Sequence, residues 1–556
     1  MSIRRPGALL GAATVAAIAL GGVLSAQAIY RAPLNVDEEL TRRIASGRFG
    51  SIFSIVAQQR GGGPLHFWLI HLTLQWPGGL LGLRGPSLLF FLLALPAVAL
   101  IADELAGAVA AAMTVLLTAC APLAVSYSFF ARPHTLLFAW ISWGTYASLR
   151  AARTGRRVAW IVGGAALGTA IFSHPTAPIY ELSAFVAALA YAPGTTRDVV
   201  RRAWPGAAAL AVTTVPYFAA TAHTLTGRYG VHGGAAHGRT FDGKPVWQNA
   251  LRVLAPDAHS HLLNWLSALA IAGVVVLLVE RRYRVLAAIA LIVVLPVMFF
   301  SYVPANGLSS LFFDRYVLPP LPLFLLLVAI GAVGIARLAG RFWPVALVAL
   351  AAGALAFQLM TTLRHNRNIS KLELDHITAV VRSQSSHAVL FGTAGTMDVT
   401  GFLGDLNFGR APNLLDRYLS LRIPSLQLVN DDTCVPVVSY LRGSEPRRFG
   451  LFLFYANAPD QQAAAAAAFA KVPGVRVQVP AERYFLLRSA QPLPARALVE
   501  LALRVRRAWV AAEPLNPRAG DLVASDSAAL EAPGSCVPRG PLGDPDVSPN
   551  FPEVVT

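Results

Sequence analysis

The sequence predicts an all-α polytopic transmembrane bundle with a C-terminal extracytoplasmic α/β domain, and three observations carry that prediction. Hydrophobic residues make up 55% of the chain and charged residues only 13%, with a mean hydropathy of +0.54, a balance outside that of ordinary soluble domains. Apolar segments of roughly 20 residues, the length that crosses a bilayer, recur up to Leu363 and give about 11–13 spans. Beyond Leu363 the pattern turns polar and alternates as strands and amphipathic helices do.

The first apolar segment, Leu9 to Tyr30, follows Arg4-Arg5. Its length argues for a retained anchor with a cytoplasmic N-terminus rather than a cleaved signal peptide, although Ala26-Gln27-Ala28 has the small residues of a cleavage site. A polar loop, residues 31–64, comes next. Pro64–Leu81 is short, carries His66, His71 and Gln75, and is cut by Pro77-Gly78-Gly79, so it reads as an interfacial or re-entrant helix. Ten further spans are expected near Gly85–Leu105, Ala108–Phe129, Thr135–Leu149, Val158–Phe172, Ile179–Tyr191, Ala203–Ala222, Leu262–Val279, Val285–Val303, Tyr316–Ala336 and Phe342–Thr362. Residues 1–363 then form the membrane module, 364–513 the α/β domain, and 514–556, rich in Pro, Gly and Asp, an irregular or disordered tail. In the α/β domain His387–Phe391, Arg448–Tyr455 and Tyr484–Leu487 read as strands, and Gln461–Lys471 and Ala495–Ala512 as helices.

The net charge of +17 does not point to nucleic acid, because the arginines are scattered through short loops between apolar segments. They orient the spans instead. Arg150–Arg157, the Arg197/Arg201/Arg202 loop, Glu280–Arg284 and Arg337–Arg341 belong in the cytoplasm of a multi-pass protein of the plasma membrane. Of three cysteines, Cys120 lies in a span, while Cys434 and Cys536 fall on the oxidising side and can pair.

On this topology one outer face gathers Asp37, Glu38, Arg84, Arg132, His134, the turn after His174, the Thr224–His261 loop and Asp314-Arg315-Tyr316. The Gly/His-rich part of that loop suits a lid or a plain connector. Zinc binding by His232, His237, His259 and His261 has no usual ligand spacing.

Read in order, Asn35-Val36-Asp37-Glu38, Gly63-Pro64-Leu65-His66-Phe67-Trp68, Leu83-Arg84-Gly85-Pro86-Ser87, Ser126-Tyr127-Ser128-Phe129-Phe130-Ala131-Arg132-Pro133-His134 and Asp314-Arg315-Tyr316-Val317-Leu318-Pro319 resemble the landmarks of the C-type (GT-C) membrane glycosyltransferases. That group includes protein O-mannosyltransferases, the lipid A aminoarabinose transferase and bacterial mannosyltransferase-like enzymes. The resemblance implies a polyprenyl-phosphate-linked sugar donor, an acceptor that is a cell-envelope glycan, lipid or protein, and Asp37 as catalytic base. The chain departs from the family at Gly63-Pro64-Leu65-His66-Phe67, where Pro-Pro-Leu-Tyr-Tyr is frequent, and at Arg132-Pro133-His134, where Arg-Met-Tyr is. Those positions bear on the identity of the sugar.

The chemistry fits these residue types independently. Phosphate is already a good leaving group, so one carboxylate suffices to take the acceptor proton, unlike the carboxylate pair of a glycoside hydrolase. Arg84, Arg132 and Arg315 offer forked donors to the phosphate, although each also reads as a snorkelling interfacial residue. His66, His134 and Tyr316 complete the expected substrate contacts. Glu38 either assists Asp37, binds a divalent cation or faces water; no cofactor motif or dedicated metal spacing is present. A transporter or flippase for a lipid-linked or anionic substrate is the main rival, against which the sequence lacks an internal repeat and paired broken helices. A scaffold is the second.

Overall fold

The computed structural model describes residues 6–59, 62–76, 78–229, 262–305, 314–369, 372–384, 387–392, 414–429, 434–443, 446–455, 459–481, 484–512 and 517–536. The chain is a helical bundle carrying a small sheet near its C-terminus, as the fold class required. The segment read as a lid or a plain connector, with His232, His237, His259 and His261, lies outside the described residues, as do 537–556.

Five helices are long and apolar enough to cross a membrane: Gly7–Ile29, Leu80–Ala106, Tyr283–Phe300, Leu321–Leu338 and Gly340–Arg367. The pair Ala108–Ala119 and Pro122–Ser128, bent by 56°, is together long and apolar enough for a sixth, as one broken span or a re-entrant loop. Pro122 at the start of the second piece cannot donate to the first, and the carbonyl of Cys120 at the break accepts instead from the Thr362 hydroxyl at 2.5 Å. Among the described residues the strict count is thus below the expected 11–13. Of the remaining predicted segments, Arg157–Phe172, Ala177–Tyr191 and Trp265–Val279 are apolar but shorter, whereas His134–Thr154 and Thr196–Tyr229 run 21 and 34 residues and are less apolar. Pro64–Leu81 yields a ten-residue helix, Leu65–Leu74, about 15 Å long at 1.5 Å per residue and so about half the hydrocarbon thickness.

The bundle has two chemically distinct ends. Glu104 and Leu105, near the end of Leu80–Ala106, meet Arg150, Arg153 and Arg282, and Glu280 meets Arg337 at 2.9 Å. The arginine-rich loops therefore converge on one end. Arg84 marks the other end of the same helix, about 30 Å away at 1.5 Å per residue. Pro86 deprives this helix of one internal bond, and the freed Gly82 carbonyl accepts from Thr73 of the short helix at 2.6 Å. A sequence-local defect thereby docks the short helix Leu65–Leu74.

The sheet comprises β1 (Ala388–Phe391), β2 (Gln427–Val429), β3 (Phe449–Tyr455), β4 (Val475–Ala481) and β5 (Tyr484–Ser489), ordered β2-β1-β3-β5-β4. β1 pairs in parallel with β2 and β3, and β5 runs antiparallel to β3 and β4. The period of two splits its side chains between two cores. Ala388, Leu390, Leu451, Leu453, Tyr484 and Leu486 pack with Leu34, Ala45, Ile70, Leu80 and Leu83 of the membrane module. Val389, Phe391, Phe452, Phe454, Phe485 and Leu487 pack against Leu498, Ala502, Val505 and Trp509 of the helix Ala495–Ala512. One correction concerns the tail: Pro517–Glu531 is a helix, not irregular chain. Asp526 forms a buried ion pair with Arg506, and Ala529 enters the second core, which supplies the burial that the Pro/Gly composition hid. Cys536 is disulfide-bonded, as its expected pairing with Cys434 requires, and Cys120 is a free buried thiol.

Candidate active site

The polar loop folds into the helix Val36–Ala45 because its ends are signalled locally. Asn35 caps the start, accepting from the Asp37 amide at 2.9 Å, and Glu38 reaches back to the Asn35 amide at 3.1 Å, a reciprocal capping box. Asp37, Glu38 and Glu39 occupy the first turn, where the helix dipole favours anions, and Arg42 and Arg43 the last.

These three acids then diverge. Glu38 is 1% exposed and accepts four bonds: from Arg84 Nε at 2.8 Å and the Ala131 amide at 3.0 Å on Oε1, and from Arg84 Nη2 at 2.6 Å and the Asn35 amide on Oε2. Arg84 is equally buried. Its remaining N–H groups go to the carbonyls of Ile29 at 2.7 Å, Ala32 at 2.9 Å and Pro33 at 2.8 Å. All five guanidinium donors and all four carboxylate acceptor positions are thus occupied. Arg84 has no donor left for a phosphate, and a cation at Glu38 would have to displace Arg84. The pair is a knot that fixes the helix start against the Ala131–Arg132 turn. Glu39 faces elsewhere, held by Arg42 at 2.7 Å and Arg43 at 3.1 Å with Arg417 at 3.6 Å. Burial alone would push its carboxyl up, but these arginines hold it below the usual range.

Asp37 alone of the three keeps a partly exposed carboxylate facing a cluster of cations. Its carboxylate lies 3.7 Å from Arg132 and 3.9 Å from Arg315, beyond hydrogen-bond length, and the three side chains are 17, 19 and 13% exposed. Tyr316 shapes the far wall: its ring stacks on Phe300 at 4.6 Å, its carbonyl accepts from Tyr180 at 2.7 Å, and the Arg315 guanidinium lies over it at 5.5 Å. His134 contacts Tyr127 and His174, ring centres 5.2 and 5.3 Å away. The fully buried His66 faces the Ala131 backbone, and Nε2 of the buried His134 meets no hydrogen-bond partner among the described residues. Burial, reinforced by Arg315 and Arg132, pushes the His174 imidazole down to about 3, so it is neutral. The Thr176 amide donates to its Nδ1 at 3.2 Å. Gly63 brings the loop's end here: a Cβ on it would lie 2.4 Å from the Phe172 carbonyl, so only glycine permits the approach to the His174 turn.

The structure therefore gathers Asp37, Arg132, His134, Arg315 and Tyr316 around one cleft, and Glu38 and Arg84 behind it. His174 and Tyr127 belong to the same cleft without having been singled out as contacts. Ser173-His174-Pro175 was visible in the sequence, but its proximity to Arg315 was not. Among the described residues no group of three or more His, Cys, Asp or Glu is placed to hold a metal ion.

Comparison with known proteins places this helical bundle and its site beside the membrane glycosyltransferases that the ordered motifs resemble. Residues 61–220 match the family described as dolichyl-phosphate-mannose-protein mannosyltransferase. The fold is similar to that of ArnT from Cupriavidus metallidurans, solved bound to undecaprenyl phosphate, with a TM-score of 0.50 and 16% identity over 85% of this chain and 97% of that one. A looser likeness, TM-score 0.42 at 10% identity, joins 82% of this chain to 71% of the Archaeoglobus fulgidus oligosaccharyltransferase. No curated protein matches the chain. Family match and fold together bear out the resemblance drawn from the ordered motifs.

Proposed function

We propose that the protein moves a sugar from a polyprenyl-phosphate donor to a hydroxyl of a cell-envelope glycan, lipid or protein, with Asp37 as the general base. The observation that carries this reading is the division among the three acids: Glu38 and Glu39 are consumed by arginines, whereas Asp37 is left at an accessible cleft between two guanidiniums. In the proposed step the acceptor oxygen bonds to the anomeric carbon and its proton passes to Asp37. The carbon–oxygen bond to phosphate breaks, its electron pair leaving with the phosphate, and Arg132 and Arg315 bind the departing group through charge-assisted donors. A positioned base is typically worth about 10²–10⁴-fold.

The neutral histidines suit a different part of the substrate. A buried nitrogen without a partner, as His134 Nε2 is among the described residues, costs about 1–3 kcal/mol, and a sugar hydroxyl offers it a donor or an acceptor; His66 lies beside it near Arg132. We assign His66 and His134 to the sugar and the arginines to the phosphate. The side of the membrane follows from the two ends: the arginine-rich loops lie opposite the cleft, which supports an extracytoplasmic site and C-terminal domain. Support for the donor class comes from the family description and from the undecaprenyl phosphate of the similar fold.

The test is to supply the protein, reconstituted in vesicles, with a polyprenyl-phosphate sugar labelled in the sugar and in the lipid. Release of the lipid phosphate with the sugar appearing on an envelope extract supports transfer. A transporter or flippase would move the doubly labelled lipid across the membrane intact, and that result would overturn the reading.

A further inference from the structure

The membrane module and the C-terminal sheet share one core, and a short helix, Leu414–Arg422, makes polar contacts with the membrane module. Tyr418 of this helix is buried and donates its hydroxyl to the Tyr30 carbonyl at 2.6 Å. Arg422 lies over the Tyr30 ring at 4.7 Å, and Arg417 approaches Glu39 at 3.6 Å. Leu421 presses its carbonyl against Gly79, where a Cβ would sit 2.1 Å away. Leu415, Tyr418 and Leu419 share their core with Leu34, just before the helix that bears Asp37, and with Ala45, its last residue.

The geometry of that helix gives these contacts a direction. Successive residues turn about 100°, so Asp37 and Glu39 point about 160° apart. The C-terminal domain thus grips the rear of the helix whose front presents Asp37. The linker leading into it is gripped as well: the carbonyls of Ile29, Ala32 and Pro33 accept from Arg84, and that of Tyr30 from Tyr418. Rolling the helix would swing Asp37 away from Arg132 and Arg315. The grip prevents rolling from both sides.

We infer that Tyr418 and Arg417 are positioning residues of the C-terminal domain, which set the placement of Asp37 toward the reacting hydroxyl; the inference rests on Asp37 as base. A misplacement of about 1 Å can cost 10²-fold in rate while leaving binding intact, so the consequence belongs in kcat and not in KM.

The experiment uses the full-length protein in nanodiscs with the labelled polyprenyl-phosphate sugar that supports turnover of the parent. In Tyr418→Phe combined with Arg417→Ala, kcat should fall about 10–100-fold with the donor KM within about twofold. Arg417→Lys, alone with Tyr418 intact, should keep most of the rate. Hydrogen exchange of the amides in Val36–Ala45 should quicken in the double variant, while the helix Leu80–Ala106 stays as protected as in the parent. Unchanged exchange in Val36–Ala45 would overturn the grip, and faster exchange with unchanged kcat would overturn its catalytic meaning. The base itself is tested apart: transfer persisting in Asp37→Asn would remove the base reading, whereas the exchange result would still report on the grip.

Discussion

Adjacent carboxylates meet opposite fates at the start of the loop helix, and substitutions should separate them. Glu38 faces the buried Arg84, so Glu38→Gln leaves a buried charge without its counter-charge, an effect of about 3–5 kcal/mol where such pairs are broken. The expected result is a lowered melting temperature and poor yield, with a donor KM close to that of the parent in whatever folds. A Glu38→Gln protein of full stability but without turnover would instead place Glu38 in the chemistry. Arg315→Ala and Arg132→Ala should do the reverse, keeping stability but raising the donor KM and lowering kcat together, because a phosphate partner acts before and during departure. The histidines add a pH dependence. His174 has a folded value of about 3 against 6.5 for the free side chain, so between those values the unfolded chain binds more protons. Stability should therefore fall as pH drops through 6.5 toward 3, and His174→Gln should flatten that fall in a melting series.

At the scale of elements, the sequence made some features plain and hid others for physical reasons. Apolar length exposed the anchor and the helices Leu80–Ala106 and Leu321–Leu338, and short continuous apolar runs exposed β1, β3 and β5. β4 was passed over although Val475, Val477 and Val479 alternate with Arg476 and Gln478, Val477 and Val479 lying exposed at a sheet edge, and the three-residue β2 is too short to show a period. The helix Pro517–Glu531 was missed because what stabilises it, the Arg506–Asp526 pair, is tertiary. In the site, Asp37, Arg132 and Arg315 could be picked out by chemistry and order. Glu38 and Arg84 could be picked out as well, but whether they face substrate or one another depends on burial, which no local pattern encodes. Gly79 tests the join between elements: it holds φ +51° and faces the Leu421 carbonyl. Gly79→Ala should cost at least about 1–3 kcal/mol from the backbone alone, and should loosen the helix Leu414–Arg422 in hydrogen exchange. An alanine variant as stable as the parent would show that this approach is not required.

At the scale of the molecule, the two-ended bundle predicts sidedness. Cysteines introduced at exposed Ser46 and Lys471 should react with an impermeant thiol reagent in intact cells, and one at exposed Thr196 only after permeabilisation. Labelling of Thr196→Cys in intact cells would invert the topology. The central claim concerns the carboxylate that this architecture delivers to the cleft, and it is tested most directly by measuring donor binding and sugar transfer on the same preparation of Asp37→Asn. Asparagine keeps the size and loses the proton affinity, so transfer should fall by about 10²-fold or more while donor affinity stays within a few-fold of the parent. Near-normal transfer by Asp37→Asn would contradict the account and leave the acidic loop as a solvated charge cluster.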